Sequence, residues 1–307
     1  MSNVLIGSPV RQKHTILEEF LSGLEGLNKG DNHIEYYFVD DNVDALSTQL
    51  LHEFSKRNTV ILKKGTDLFK DESDYENHNW KASTLKKITV YKNTIINYCI
   101  ANNFDYLFLI DSDIVVDRRS LLQLLSDNVD IVSNVFWSQW VKNGPLTSQC
   151  FWIPDIYTQF KEFNVPISFE EANKIRNDKN EELKSPGLYK VNGLGACTLI
   201  SRDSLKKGVN FSEIPNLQIP GEDRPFCIRA GALGYDLFMD THYPAYHIHQ
   251  EKYLDRVDEF KRDGFKFDMC MTIEKEPAKK QKLLNKGLIT IGKSLRRIGN
   301  KLVRDFS

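Results

Sequence analysis

Short apolar runs alternate with amphipathic segments along most of the chain. Val4–Ile6, Tyr36–Val39 and Thr59–Leu62 are apolar runs of strand length. The first two end in turn-forming or polar residues, Gly7-Ser8-Pro9 and Asp40-Asp41-Asn42. Between them, Ile16 to Leu27 has helical spacing. A helix is expected over about 85–101, a strand at Tyr106–Ile110, a helix at Ser120–Ser126 and a strand at Ile131–Asn134. The five apolar residues Tyr106 to Ile110 predict a strand buried on both faces. Residues 64–81 are polar and irregular, the composition of a loop that closes over a site. Ser168-Phe169-Glu170-Glu171 forms a capping box opening a charged surface helix, and Pro186-Gly187 closes that excursion. Strand–helix alternation of this kind predicts an α/β fold with a mainly parallel, doubly wound sheet. Ligands in such sheets bind beyond the carboxyl ends of the strands.

Composition narrows the function. The 307 residues carry 41 basic and 42 acidic side chains, a formal charge of −1, which excludes a globally basic nucleic-acid binder. No run approaches the roughly 18 apolar residues of a membrane span. The N-terminal MSNVLIGSPVRQ has no basic region followed by a long apolar segment, so no secretory signal is expected there. The five cysteines (Cys99, Cys150, Cys197, Cys227, Cys270) include no C-x-x-C pair and read as buried free thiols of a reducing cytosol. Charge is uneven, however. From Ala278 to Ser307 there are nine basic residues against one acid, Asp305, a net +8 that leaves about −9 for the rest. Leu284, Leu288, Ile291, Leu295, Ile298 and Leu302 share one helical face there. A basic amphipathic helix of this kind suits an anionic membrane surface, the body of the domain or a second copy of the chain. A cytoplasmic location is expected, peripheral on the inner membrane face if the tail binds lipid.

Three groups of residues carry chemistry. The buried strand ends in Asp111-Ser112-Asp113. Carboxylates are costly to bury, and two hard oxygen ligands this close suit Mn²⁺ or Mg²⁺ bridging nucleotide phosphates. Glu222 and Asp223 open an amphipathic helix with Pro225 in its first turn. His247 and His249, spaced i, i+2 on an extended segment, share a face from which both reach a metal. Asn192-Gly193-Leu194-Gly195-Ala196-Cys197 precedes the apolar strand Thr198–Ile200; its small residues allow close backbone approach, to a ligand or to the sheet. Trp137, Trp140 and Trp152 surround one segment and read as core or as a sugar-stacking face.

The ordered set of these residues resembles the GT-A fold glycosyltransferases, the family-2 enzymes most. The likeness runs from about Val4 to His249, through Ser8-Pro9-Val10-Arg11, Asp40-Asp41, Lys92-Asn93, Asp111-Ser112-Asp113, Glu222-Asp223 and His247. The stretch from Leu109 to Trp137 is also similar to fungal mannan-polymerase-type mannosyltransferases. The resemblance implies a Rossmann-like GT-A domain over 1–270, with a nucleotide-binding half over about 1–135 and an acceptor half over about 136–270, then the tail 271–307. It implies a metal-dependent transferase moving a sugar from a nucleotide-sugar, with a UDP-linked donor and inversion preferred. Asp113, with Asp111 through water, and His247 or His249 would hold Mn²⁺ or Mg²⁺. Ser8, Pro9, Arg11, Asp40, Asp41, Lys92, Asn93, Asp111 and Ser112 would surround the donor. Asp223 would take the acceptor proton and Glu222 would orient it. The acceptor is left open among saccharide, lipid-linked, peptide and small-molecule hydroxyls. Two alternatives stand beside this reading: a sugar-phosphate nucleotidyltransferase, for which the first loop is poor in glycine, and a non-catalytic peripheral adaptor that uses the basic tail.

Overall fold

The computed structural model describes residues 1–66, 81–139, 144–148, 160–162, 165–217 and 221–271. Most of the expected loop 64–81, Trp140, Cys150, Trp152 and the tail 272–307 lie outside the described residues. The chain opens with β1 (Asn3–Val10), α1 (His14–Glu25), β2 (His33–Asp40), α2 (Ala45–Ser55) and β3 (Val60–Lys64). It continues with α3 (Ala82–Ala101), β4 (Tyr106–Ile110), β5 (Ile114–Val115), α4 (Ser120–Ser126) and β6 (Ile131–Ser138). Next come β7 (Thr147–Ser148), β8 (Phe160–Glu162), β9 (Val165–Pro166), α5 (Phe169–Glu182), β10 (Leu188–Val191) and β11 (Cys197–Ser201). The last elements are α6 (Arg202–Lys206), α7 (Asp223–Ala232), β12 (Leu237–His247) and α8 (Val257–Asp263).

Helices flank one central sheet of order β10-β12-β6-β11-β4-β1-β2-β3, with β5 added to β12 and β7 to β6. Strands β4, β1, β2 and β3 pair in parallel, as do β6 and β12. Strand β11 lies antiparallel between β4 and β6, and β10 is antiparallel to β12. Along its main path the sheet is therefore mainly parallel with two reversed strands, and the two short additions, β5 and β7, are antiparallel to their neighbours. The chain steps outward from β1 to β2 and β3, then returns to β4 on the other side of β1. That reversal of strand order opens a crevice between the carboxyl ends of β1 and β4.

The local chemistry explains the elements. Ile16, Leu17, Phe20, Leu21 and Leu24 form the buried stripe of α1. The β4 residues from Leu107 to Ile110 are buried, as an interior strand requires. On α5, Ser168 Oγ accepts from the Glu171 N–H at 3.2 Å while Glu171 Oε2 accepts from the Ser168 N–H at 3.4 Å. Only Ala172 and Asn180 of that helix are buried, which makes it the surface helix its charges predict. The four described cysteines are buried and free. Trp137 is 1% exposed, its ring 5.3 Å from that of Phe267, and so belongs to the core.

Strands β1 and β12 continue through residues of turn-forming or polar character. Strand β1 continues through Gly7-Ser8-Pro9 because it pairs with β2 as far as Val10, while its pairing with β4 stops at Gly7. Pro9 thus occupies a stretch paired on one side only, where its missing N–H is tolerated. Strand β12 passes through the polar Asp240-Thr241-His242 because Asp240 is fully buried and satisfied. Its carboxylate accepts from the His242 N–H at 3.0 Å and from Gln123 Nε2 at 3.2 Å, and it meets His242 Nδ1 at 2.6 Å. A bulge between Asp240 and Ala245 then resets the register before the strand reaches His247.

Gly7 sets how closely α3 approaches the sheet, since a Cβ there would sit 2.5 Å from Ile95 Cγ2. Gly7→Ala is expected to destabilise the protein by about 1–3 kcal/mol through overpacking. Urea denaturation measures this, and an unchanged midpoint would show that α3 can move away freely.

Candidate active site

A cavity of about 330 Å³ lies at the carboxyl ends of β1, β2 and β4. Its walls include Pro9, Arg11, Asp41, Asp111, Ser112, Asp113, Glu222, Asp223 and His249. Residues as far apart in sequence as Pro9 and His249 therefore share one crevice.

Helix α3 organises it. Its buried side carries Thr84, Lys87, Tyr91 and Lys92 ahead of Ile95, Ile96 and Cys99, so the apolar stripe turns polar toward the helix N-terminus. Lys92 is 1% exposed. Its Nζ lies 2.8 Å from Glu222 Oε1, 3.1 Å from Asp223 Oδ1 and 3.7 Å from Asp111 Oδ1. It also lies 5.0 Å from the centre of the Phe211 ring. Burial works against its charge, but the three carboxylates outweigh it and raise the Lys92 pKa well above the usual value. Burial pushes Glu222 upward too, yet the charge and hydrogen bond of Lys92 prevail and hold it below the usual range. Asp223 goes the other way. Burial raises it, Lys92 opposes, and Glu222 and Asp111 push it up again, to about 7. Asp111 is raised to about 6, first by burial and then by Asp113 and Glu222 against the pull of Lys92.

Backbone shape completes this part of the site. The segment before β11 packs against both acids: the Asp111 N–H donates to the Ala196 carbonyl at 2.7 Å. A Cβ on Gly195 would stand 2.2 Å from Asp223 Oδ2. The close approach anticipated for this small-residue segment is thus made to the Asp223 carboxylate.

Asp113 belongs to a second group. Strand β5 pairs with β12 so that Ile114 faces His247, and the Ile248 N–H donates to the Asp113 carbonyl at 2.8 Å. His247 Nε2 comes to 3.5 Å from Asp113 Oδ2. The His249 ring centre is 5.0 Å from that of His247 and 4.4 Å from that of Tyr253, consistent with the shared face expected from the i, i+2 spacing. Among the described residues, no three His, Cys, Asp or Glu side chains gather as a metal cluster.

The other end of the cavity is built around Asp41. Tyr91 donates its hydroxyl to Asp41 Oδ1 at 3.0 Å, while Lys87 Nζ and Arg11 Nη1 lie 2.8 and 3.4 Å from Oδ2. Several expected donor-binding residues have other partners. Ser8 is fully buried and its hydroxyl donates to the Pro9 carbonyl at 3.1 Å. Asp40 accepts from Asn42 Nδ2 at 2.7 Å and from Thr48 Oγ1 at 2.9 Å, which shapes its loop. Asn93 accepts from the Phe211 N–H at 2.9 Å and donates to Ser212 Oγ at 3.1 Å, which ties α3 to the segment before α7.

No family model matches the sequence, and no curated protein matches it either. Solved structures resemble it in outline. The chain is similar to S. aureus TarS residues 1–349, with TM-score 0.45 and 13% identity over 80% of this chain and 60% of that one. The complex of TarS 1–349 with UDP-GlcNAc gives the same TM-score and identity, over 80% of this chain and 58% of that one. A longer TarS structure gives TM-score 0.46 and 12% identity, over 86% of this chain and 40% of that one. The chain thus spans about three fifths of the length of the first of these.

Lys87, Tyr91 and Thr84 line the cavity and were not among the residues expected from the sequence. A signal for them exists, because Lys87 and Tyr91 fall in the same i, i+4 row as Ile95 and Cys99. Polar residues aligned with a buried stripe face something that satisfies them.

The charge cluster has a pH signature. A carboxyl group whose folded pKa is about 7 against a reference of 3.8 keeps its proton longer when folded. Asp223 therefore lowers stability progressively as pH rises from about 4 to about 7. Lys92→Met is expected to steepen that loss, costing about 3–5 kcal/mol at pH 8 and less at pH 5, where the acids take up protons. Equal losses in urea denaturation at both pH values would contradict the role of Lys92 as their counter-charge.

Proposed function

We propose that this chain is a glycosyltransferase that moves a sugar from a nucleotide-sugar to an acceptor hydroxyl. The observation that carries the reading is the convergence of Asp111 and Asp113 with Glu222 and Asp223 on one cavity at the crevice between β1 and β4. That crevice is where open α/β sheets bind ligands.

Each group has a role in this reading. Asp113 and His247 offer a hard oxygen and an imidazole nitrogen 3.5 Å apart, a donor pair that suits Mn²⁺ or Mg²⁺ with the remaining positions left to phosphate and water. Asp111 would reach such an ion through water. When bound, the ion supplies charge neutralisation for the departing nucleoside diphosphate. At the other end, Arg11 and Lys87 set cationic N–H donors beside the Asp41 carboxylate. Cationic N–H donors beside a carboxylate can hydrogen-bond the carbonyls and the N–H of a base such as uracil, the donor base of this reading.

For the transfer itself, Asp223 takes the proton of the attacking hydroxyl, as inversion at the anomeric carbon requires. Its pKa of about 7 suits a base working near neutrality. Glu222, held ionised by Lys92, orients the acceptor.

Two experiments test this. Thermal shift against UDP- and GDP-sugars is expected to show stabilisation in Mn²⁺ that chelator removes, about 2.7 kcal/mol at 100 times the dissociation constant. Asp113→Ala should lose the metal-dependent part, and silence of the wild type across the panel would sink the donor reading. Asp223→Asn should bind donor normally but transfer about 10²–10⁴ times more slowly. In the wild type, kcat/KM should rise with pH through about 7. Wild-type turnover in Asp223→Asn would remove this residue from the base role.

A further inference from the structure

His247 is held by two neighbours on β6. Its Nδ1 lies 2.8 Å from Ser138 Oγ. The edge of Phe136 meets its ring at 5.1 Å and 68°. Ser138 is fully buried at the end of β6, where it pairs with Thr147 of β7. Because β6 runs parallel to β12, two adjacent strands fix the serine and the histidine relative to each other.

A hydroxyl in this position can give its proton to Nδ1 or accept one from it. The two cases differ at the far side of the ring. If the hydroxyl donates, neutral His247 carries its proton on Nε2 and offers Asp113 an N–H. If it accepts, the proton sits on Nδ1 and Nε2 presents a lone pair beside Asp113. The separation of 3.5 Å between Nε2 and Asp113 Oδ2 is longer than the usual N–H···O distance of about 2.9 Å. It favours the second case, in which both atoms would be free to offer lone pairs to one cation.

We propose that Ser138 is a positioning residue that accepts the Nδ1–H of His247, fixing the tautomer whose Nε2 lone pair, together with Asp113, ligates a divalent cation. This rests on the metal reading given above. A metal-ligating histidine commonly donates its other ring N–H to such a partner, and loss of the partner weakens metal binding about 10–100-fold.

The test is two-dimensional ¹H–¹⁵N NMR of the seven histidines in the full chain, with His247 assigned by His247→Gln. Mn²⁺ alone is then titrated, and binding is read from water-proton relaxation and from loss of the His247 ring signals. The expected result is an Nδ1–H tautomer in the metal-free wild type. Ser138→Ala should lose that preference and bind Mn²⁺ 10–100-fold more weakly, and Ser138→Thr, which keeps the hydroxyl, should recover both. Ser138→Cys replaces the alanine variant if thermal melting shows that the latter does not fold. An Nε2–H tautomer in the wild type, or unchanged tautomer and affinity in the folded alanine or cysteine variant, overturns the proposal. A wild type with the Nδ1–H tautomer but no Mn²⁺ effect at His247 overturns the metal reading, and with it the ligation half of the proposal. The intact tautomer distinguishes that failure from the first.

Discussion

One ammonium group holds the site together. Lys92 is buried at the polar end of α3, and a charge removed from water costs several kcal/mol unless it is paired and hydrogen-bonded. Its partners come from the end of β4 and the start of α7, so helix, strand and helix must all be in place before any of them is satisfied. The same contact separates the two acids electrically. Glu222 stays ionised, while Asp223 is left able to gain and lose a proton near neutral pH.

A second pairing repeats this arrangement toward the other side of the crevice. Lys87, from the same helix, meets Asp41 after β2, and Tyr91 donates to that carboxylate. Helix α3 thus acts as a charged spine, with each lysine answering carboxylates from different loops. Asp113 stands apart from it and faces the end of β12. The crevice therefore has an acid pair under one lysine, a carboxylate between cations and an acid beside a histidine.

Much of this was legible in the sequence. The strand Tyr106–Ile110 and the helix Ser120–Ser126 end where their patterns predict, because strong apolar runs bounded by polar turns leave little choice of boundary. Strand β1 was harder. Gly7-Ser8-Pro9 carries turn chemistry, and only pairing with β2 along its full length makes those residues a strand. The reversed direction of β11 is invisible locally, since an apolar run does not say which way it enters a sheet. Among the cavity-lining residues, the acids at strand and helix ends could be found from position alone. Asp40 and Asn93 could not be separated from their neighbours Asp41 and Lys92, because only the folded backbone sends Asp41 to the cavity wall and Lys92 into the buried charge cluster while Asp40 and Asn93 bond to nearby loops.

The reversal of β11 has a consequence for how this fold can vary. Because β6 and β11 are antiparallel neighbours, the chain between Ser138 and Cys197 leaves and re-enters the sheet at the same end. Topologically it is an excursion from a hairpin, and among the described residues it adds only β10 to the main path of the sheet. Closing such an excursion costs only about 0.6 kcal/mol for each doubling of its length. Its length can therefore change at little cost wherever it lies ahead of the Gly195–Ala196 contacts with Asp223 and Asp111, while the floor built on β1, β4 and α3 stays fixed, an exchangeable cassette beside a permanent base.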